Sequence, residues 1–246
     1  MFLYCAIHDQ GLTKQFYQPK LPMVLGYLYH QGLGVPRDPV RARRLLTQGA
    51  ERGDPKAQFN LSVLLMQGEG GPADPALARQ WLEKAAAAGY ADAQANLGTA
   101  WLEGALGLPR DVARAAPLLA QAASQKHARA LGLYGDLLLH GTPTLARDVD
   151  RGLRLLRAGA EAGDAVAQDL LSLALFSGEV VPRDRVEAAR WNRAAAEQGR
   201  RFAQLRLGWQ LRYGQGVAQD SAAGITGLSE VLWAFETSYS FSIFQK

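Results

Sequence analysis

AQFNLSVLLMQGEGGPADPALARQWLEKAAAAG, residues 57–89, decides how this chain folds, because its parts return along most of the sequence. The glycine at Gly68 has counterparts at Gly32, Gly104, Gly141, Gly178 and Gly214. The aspartate at Asp74 has counterparts at Asp38, Asp111, Asp148, Asp184 and Asp220. Both series advance in steps of 36 or 37 residues. Two series marching in parallel at that period mark a solenoid, in which each unit stacks on its neighbours.

Working outward from Gly68, large apolar residues stand seven before the glycine (Leu25, Leu61, Leu97, Tyr134, Leu171, Leu207) and three before it (Tyr29, Leu65, Trp101, Leu138, Leu175, Leu211). A spacing of four puts them on one helical face. A small residue follows the first of them, at Gly26, Ser62, Gly98, Gly135, Ser172 and Gly208, so a second helix can approach closely. That second helix starts at the aspartate, whose carboxylate can accept from backbone N–H groups left without partners. Pro39 and Pro75 follow Asp38 and Asp74 at the first helical position, where a missing N–H costs nothing. From the aspartate, apolar or small residues recur at plus four, seven, eight and twelve, a 3.6-residue stripe. At plus eight stand Leu46, Leu82, Leu119, Leu156, Asn192 and Leu228. Gly53, Gly89, Gly163 and Gly199 end the stripe where a left-handed cap is expected.

With these positions in register, Ala57–Gly89 and the following AQANLGTAWLEGALGLPRD (Ala93–Asp111) resemble Sel-one-like repeats, relatives of the tetratricopeptide repeat. The resemblance covers residues 21–220 in six units, the sixth fading after Asp220. It implies an all-α fold, a right-handed superhelical solenoid of about six helix-turn-helix repeats. The units would lie near 21–55, 56–91, 92–128, 129–165, 166–201 and 202–235, after a lead-in over 1–20 and before a tail over 236–246. Val231, Leu232, Trp233 and Phe235 are bulkier than the repeat pattern and read as a capping helix. Tyr239, Phe241 and Phe244 would cover the end of the array or fray. The resemblance also implies a protein-binding adaptor.

Composition narrows the function classes. No run approaches the roughly 18 apolar residues of a membrane span. The N-terminus MFLYCAIHDQ has no positive leader region. As the sequence stands it reads as cytoplasmic, and as periplasmic or envelope-associated if a leader precedes Met1. Cys5, behind Phe2, Leu3 and Tyr4, faintly resembles a lipid-attachment cysteine, and a single cysteine forms no intramolecular disulfide. The net charge is +4. The arginines are spread over the second helices (Arg41, Arg43, Arg44, Arg79, Arg114, Arg151, Arg154, Arg157, Arg190, Arg193), without interleaved aromatics and diluted by Glu51, Glu83, Glu161, Glu187 and Glu197. That pattern reads as a solvated face and not as a nucleic-acid groove.

Catalytic and metal patterns are missing. His8, His30, His127 and His140 lie in no H-E-x-x-H or C-x-x-C context, and no G-x-S-x-G, Walker A or dinucleotide fingerprint occurs. GEGG from Gly68 and GALG from Gly104 read as turn glycines. No cofactor is implied. Asp136 and His140, one helical turn apart, are the one pair a catalytic reading could use, and otherwise a solvated pair.

By the same resemblance, positions nine, five, two and one before the loop glycine should line the concave side. They include Tyr27, His30, Phe59, Val63, Met66, Leu102, Asp136, Leu139, His140, Asp169, Leu173, Phe176, Trp209, Arg212 and Tyr213. Apolar surface of that extent usually marks a partner site, unless curvature buries part of it, the favoured reading for Val63 or Leu173 taken alone. Phe176, Trp209, Arg212 and Tyr213 have hot-spot composition. Tyr27, His30, Phe59 and Met66 form a softer patch for a helix or loop of another protein. The leading function is a non-enzymatic adaptor. The alternative is an immunity-type inhibitor of one secreted toxin or enzyme, and a cell-wall-directed enzyme is a remote third for which no catalytic set is found.

Overall fold

A computed structural model describes residues 21–226, in two compact units that meet at Arg110 and Asp111 in the chain. Cys5, His8, the plus-eight Leu228, the expected capping residues Val231, Leu232, Trp233 and Phe235, and the tail lie outside the described residues. The first unit holds α1 (Leu21–Gln31), α2 (Pro39–Glu51), α3 (Pro55–Gln67), α4 (Pro75–Ala87) and α5 (Ala91–Glu103). The second holds α6 (Val112–Ser124), α7 (Ala128–His140), α8 (Val149–Glu161), α9 (Ala165–Ser177), α10 (Arg185–Glu197) and α11 (Arg201–Tyr213), and a further helix begins at Ser221. The fold is an all-α solenoid of helix-turn-helix repeats. Among the described residues the only β pairing is a single bridge between Thr142 and Leu145.

Local rules account for the helix boundaries. The Asp38, Asp74, Asp111, Asp148, Asp184 and Asp220 carboxylates each accept from the backbone N–H three residues on, at 2.8–3.0 Å. Five of these aspartates also send their own N–H back to the preceding helix, as Asp74 N does to Leu65 O at 2.9 Å, which sets the register of each hairpin. The loop glycines Gly32, Gly68, Gly104, Gly178 and Gly214 have φ of 64–72°, a conformation costly for a side chain. Gly70 and Gly107 are left-handed too, so GEGG and GALG are turn chemistry. Gly53, Gly89, Gly163 and Gly199 are left-handed as expected, and Lys126 occupies the same place in the third repeat with φ 62°.

Packing follows the repeat stripe. Leu46, Leu119, Leu156 and Asn192 at plus eight are fully buried, as are the small residues Ala42, Ala115 and Ala188 at plus four. A second periodic tie was not evident from the sequence. Gln58, Gln94, Gln168 and Gln204 each donate Nε2 to the carbonyl of the plus-twelve alanine of the preceding helix, Ala50, Ala86, Ala160 and Ala196, all at 3.2 Å. These bonds close the joint between successive repeats with a hydrogen bond instead of an apolar contact.

Some arginines of the second helices reach the next repeat and others stay within their own hairpin. Arg43 donates to Pro72 O at 3.0 Å, Arg157 pairs with Glu187 at 2.8 Å, and Arg190 lies over the Trp191 ring.

Candidate functional site

In the first unit the residues of the expected patch stand in different surroundings. Tyr27 and Met66 are exposed, 41% and 38%. His30 is drawn into a tie between repeats: its Nε2 lies 3.2 Å from Glu69 Oε2, which Arg37 also holds at 2.6 Å. Phe59 packs its ring on Tyr90, with centroids 5.3 Å apart. Burial first, and then the hydrogen bond and charge of Asp92, push the Tyr90 hydroxyl above the usual phenol range. Val63, Met66 and Gln67 of α3 face Asn96, Thr99 and Glu103 of α5 across a hollow of about 300 Å³. Leu102 is half-buried, and neither it nor Tyr27, His30 or Phe59 lines that hollow.

Asp136 and His140 do meet on α7. His140 Nδ1 is 3.4 Å from the Asp136 carboxylate and 3.0 Å from its backbone carbonyl. Burial pushes the Asp136 carboxyl up from its ordinary value, opposed by the smaller pull of His140. A carboxyl whose folded value is raised binds its proton more tightly in the folded state. The stability penalty is therefore absent below the ordinary carboxylate range and fully present above the raised value. Asp136→Asn should melt above the wild type at neutral pH, and the gain should shrink as pH falls through the carboxylate range. A gain of constant size in melting curves taken across that range would contradict this assignment.

The second unit carries the sharper surface. Trp209 is 50% exposed and its ring packs on Tyr213, 49% exposed, with centroids 4.4 Å apart. The Arg212 guanidinium lies 5.5 Å from the Tyr213 ring centroid. Phe176 from α9 joins Phe202, Leu205, Arg206, Trp209 and Gln210 of α11 around an open groove of about 440 Å³. Phe202, at 66% exposure, was missed from the sequence. Its signal is a departure from the repeat: the equivalent positions are Lys56, Asp92, Arg129 and Val166.

Beneath this groove lies a buried polar network. Arg206 Nη1 is 3.0 Å from Asp169 Oδ1 and 3.1 Å from Asn192 Oδ1, and Arg200 Nη2 is 3.1 Å from Asp169 Oδ2. Asn192 Nδ2 donates to Gln210 Oε1 at 2.8 Å. Asn192 stands in a leucine position of the stripe. Gln210 stands four before the loop glycine, where the other repeats have Leu28, Leu64, Ala100, Leu137 and Ala174. Two polar residues in apolar positions were thus visible in the sequence, and the structure pairs them.

Two inward-facing expectations are corrected. Asp169 is 7% exposed and consumed by Arg200 and Arg206. Leu139 is fully buried, because Gly152 has no Cβ to fill the space beside the leucine side chain. Leu173, for which burial by curvature is the favoured expectation, is instead 49% exposed. Among the described residues no cluster of His, Cys, Asp or Glu could hold a metal ion, and no helix is long and apolar enough to cross a membrane.

Comparison with known proteins agrees with the repeat register. The Sel1 repeat profile matches residues 23–54, 55–90, 91–127, 128–164, 165–199 and 201–225. The chain is similar to the crystal structure of a Sel1 repeat protein from Oxalobacter formigenes, with 29% identity, 88% of each chain covered and a TM-score of 0.72. It is also similar to a protective antigen of uropathogenic Escherichia coli displaying an SLR fold, with 29% identity and a TM-score of 0.67, over 89% of this chain and 47% of that one. An immunity protein from Pseudomonas aeruginosa shares the fold at 20% identity, covering 85% of this chain and 81% of its own, with a TM-score of 0.53. No curated protein was found to match.

Proposed function

Because the chain belongs to the Sel1 repeat family, whose members are typically protein-interaction scaffolds, we propose that it is a non-enzymatic adaptor whose principal contact is the aromatic groove of α9 and α11. The observation that carries this reading is the pair Phe202 and Trp209, two large side chains at least half exposed on one helix beside the half-buried Phe176. Monomeric surfaces rarely leave such groups uncovered together, and aromatic anchors beside an arginine dominate interface energetics. Phe176, Trp209, Arg212 and Tyr213 form this contact. Tyr27, His30, Phe59, Met66 and Leu102 in the first unit, with Asp136 and His140 in the second, are assigned weaker contacts.

Affinity capture from the native host, using wild type beside Trp209→Ala, tests the reading. Trp209→Ala should weaken the captured partner by about 2 kcal/mol while leaving the helical circular dichroism unchanged. Equal binding by the variant in a titration would remove the groove from the contact. Several partners of moderate affinity fit an adaptor. One stoichiometric enzyme whose turnover is abolished would instead place the chain with inhibitors of the immunity type.

A further inference from the structure

The groove of α9 and α11 contains a hydrogen-bond donor for which the described chain supplies no acceptor. A guanidinium only donates, so Arg206 Nη1 fixes Asn192 Oδ1 as an acceptor at 3.1 Å. Asn192 Nδ2 must then donate, which fixes Gln210 Oε1 as its acceptor at 2.8 Å. Turning the Gln210 amide over would set two donors face to face. Gln210 Nε2 is left as a buried donor without a partner, in a residue 1% exposed that lines the groove. Native interiors rarely leave such a group unmatched, because it loses water and gains nothing.

The charge around it is positive on balance. Among the groove-lining residues, Arg206 is the only charged one, and none is a carboxylate. From Arg200 to Tyr213 the chain carries Arg200, Arg201, Arg206 and Arg212 and no acidic residue. The carboxylate beneath, Asp169, is shared by Arg200 and Arg206, two cations against one anion. An incoming acceptor that is also negatively charged satisfies both the amide and the surplus.

We propose that this groove receives a peptide segment of a partner protein that seats an apolar side chain among Phe176, Phe202, Leu205 and Trp209 and presents a neighbouring carboxylate oxygen to Gln210 Nε2. Gln210 is then the residue that selects acidic-apolar segments over neutral or basic ones. The inference rests on the reading of this patch as a partner site. A volume of about 440 Å³ is in the range of ligand pockets and admits one large side chain with part of its backbone.

The test uses the full chain and dye-labelled, end-blocked peptides followed by fluorescence polarisation. The probes are Gly-Gly-Leu-Asp-Gly-Gly and its counterparts with Leu-Lys, Leu-Asn and Ala-Asp at the centre. Wild type should bind the Leu-Asp peptide at least about tenfold more tightly than the Leu-Lys and Ala-Asp peptides, with Leu-Asn between. Gln210→Glu keeps an oxygen for Asn192 Nδ2 and puts a second oxygen where the donor was. That variant should lose about tenfold for Leu-Asp and not for Leu-Lys. Equal wild-type affinities, no binding of any peptide, or a preference that survives in Gln210→Glu would overturn the selection by Gln210. If Trp209→Ala still loses its captured partner in those cases, the partner patch stands without it. Tighter binding of a synthetic peptide of residues 227–246 than of the Leu-Asp peptide would also overturn the proposal, in favour of an occupant from this chain.

Discussion

Asp169→Ala is expected to destabilise the second unit by about 3 kcal/mol, the cost of breaking a buried ion pair from one side. Its carboxylate side chain is 10% exposed and holds both Arg200 and Arg206, and Arg206 in turn orients Asn192. Removing it leaves the Arg206 guanidinium, 19% exposed, without an anion in a poorly solvated place. Urea unfolding should show a lower midpoint at unchanged slope. Combining Asp169→Ala with Arg206→Met should recover part of the loss, since the buried charge is then removed along with its partner. An Asp169→Ala variant as stable as wild type would mean that the network is solvated and that Gln210 is not locked as described.

Gly152→Ala should cost a similar amount, about 3 kcal/mol, for a steric reason. The repeat pattern argues the other way. Four of the five equivalent positions are Ala42, Ala78, Ala115 and Ala188, and alanine is the better helix former. A Cβ added at Gly152 would lie 2.8 Å from both Gly135 O and Leu139 N, which are backbone atoms that cannot swing aside. Two turns along each helix, a Cβ added at Gly159 would meet Gly132 N and Ala128 O at the same 2.8 Å. α7 and α8 therefore touch backbone to backbone, which is also why Leu139 is covered and not available to a partner. Thermal unfolding decides between the two readings: a melting temperature at or above wild type would show that the repeat pattern, and not the close approach, governs this position.

Much of the candidate site was within reach of the sequence, in uneven ways. Trp209 and Tyr213 were legible because large aromatics one turn apart on a predicted first helix are conspicuous. Phe202 and Gln210 were visible only as departures from their repeat positions, and nothing local says that a glutamine in an apolar position faces a groove. Asp169 looked like a surface carboxylate, since its two arginine partners lie 31 and 37 residues away. His30 looked free for the same reason, with Glu69 and its charge one repeat further on.

The sequence by itself determined the architecture: helix starts at the six aspartates, left-handed glycines at the turns, and a 3.6-residue stripe that packs each hairpin. Those features depend on contacts within a few residues or within one period, and a periodic chain displays them in every copy. Only the tertiary structure decided which inner positions remain exposed, how closely each pair of helices packs, and that Arg206, Asn192 and Gln210 lock one amide with its donor unspent. Burial and hydrogen-bond accounting depend on distances between residues a full repeat apart, and ångström differences between otherwise equivalent repeats leave no mark in the spacing of residues along the chain.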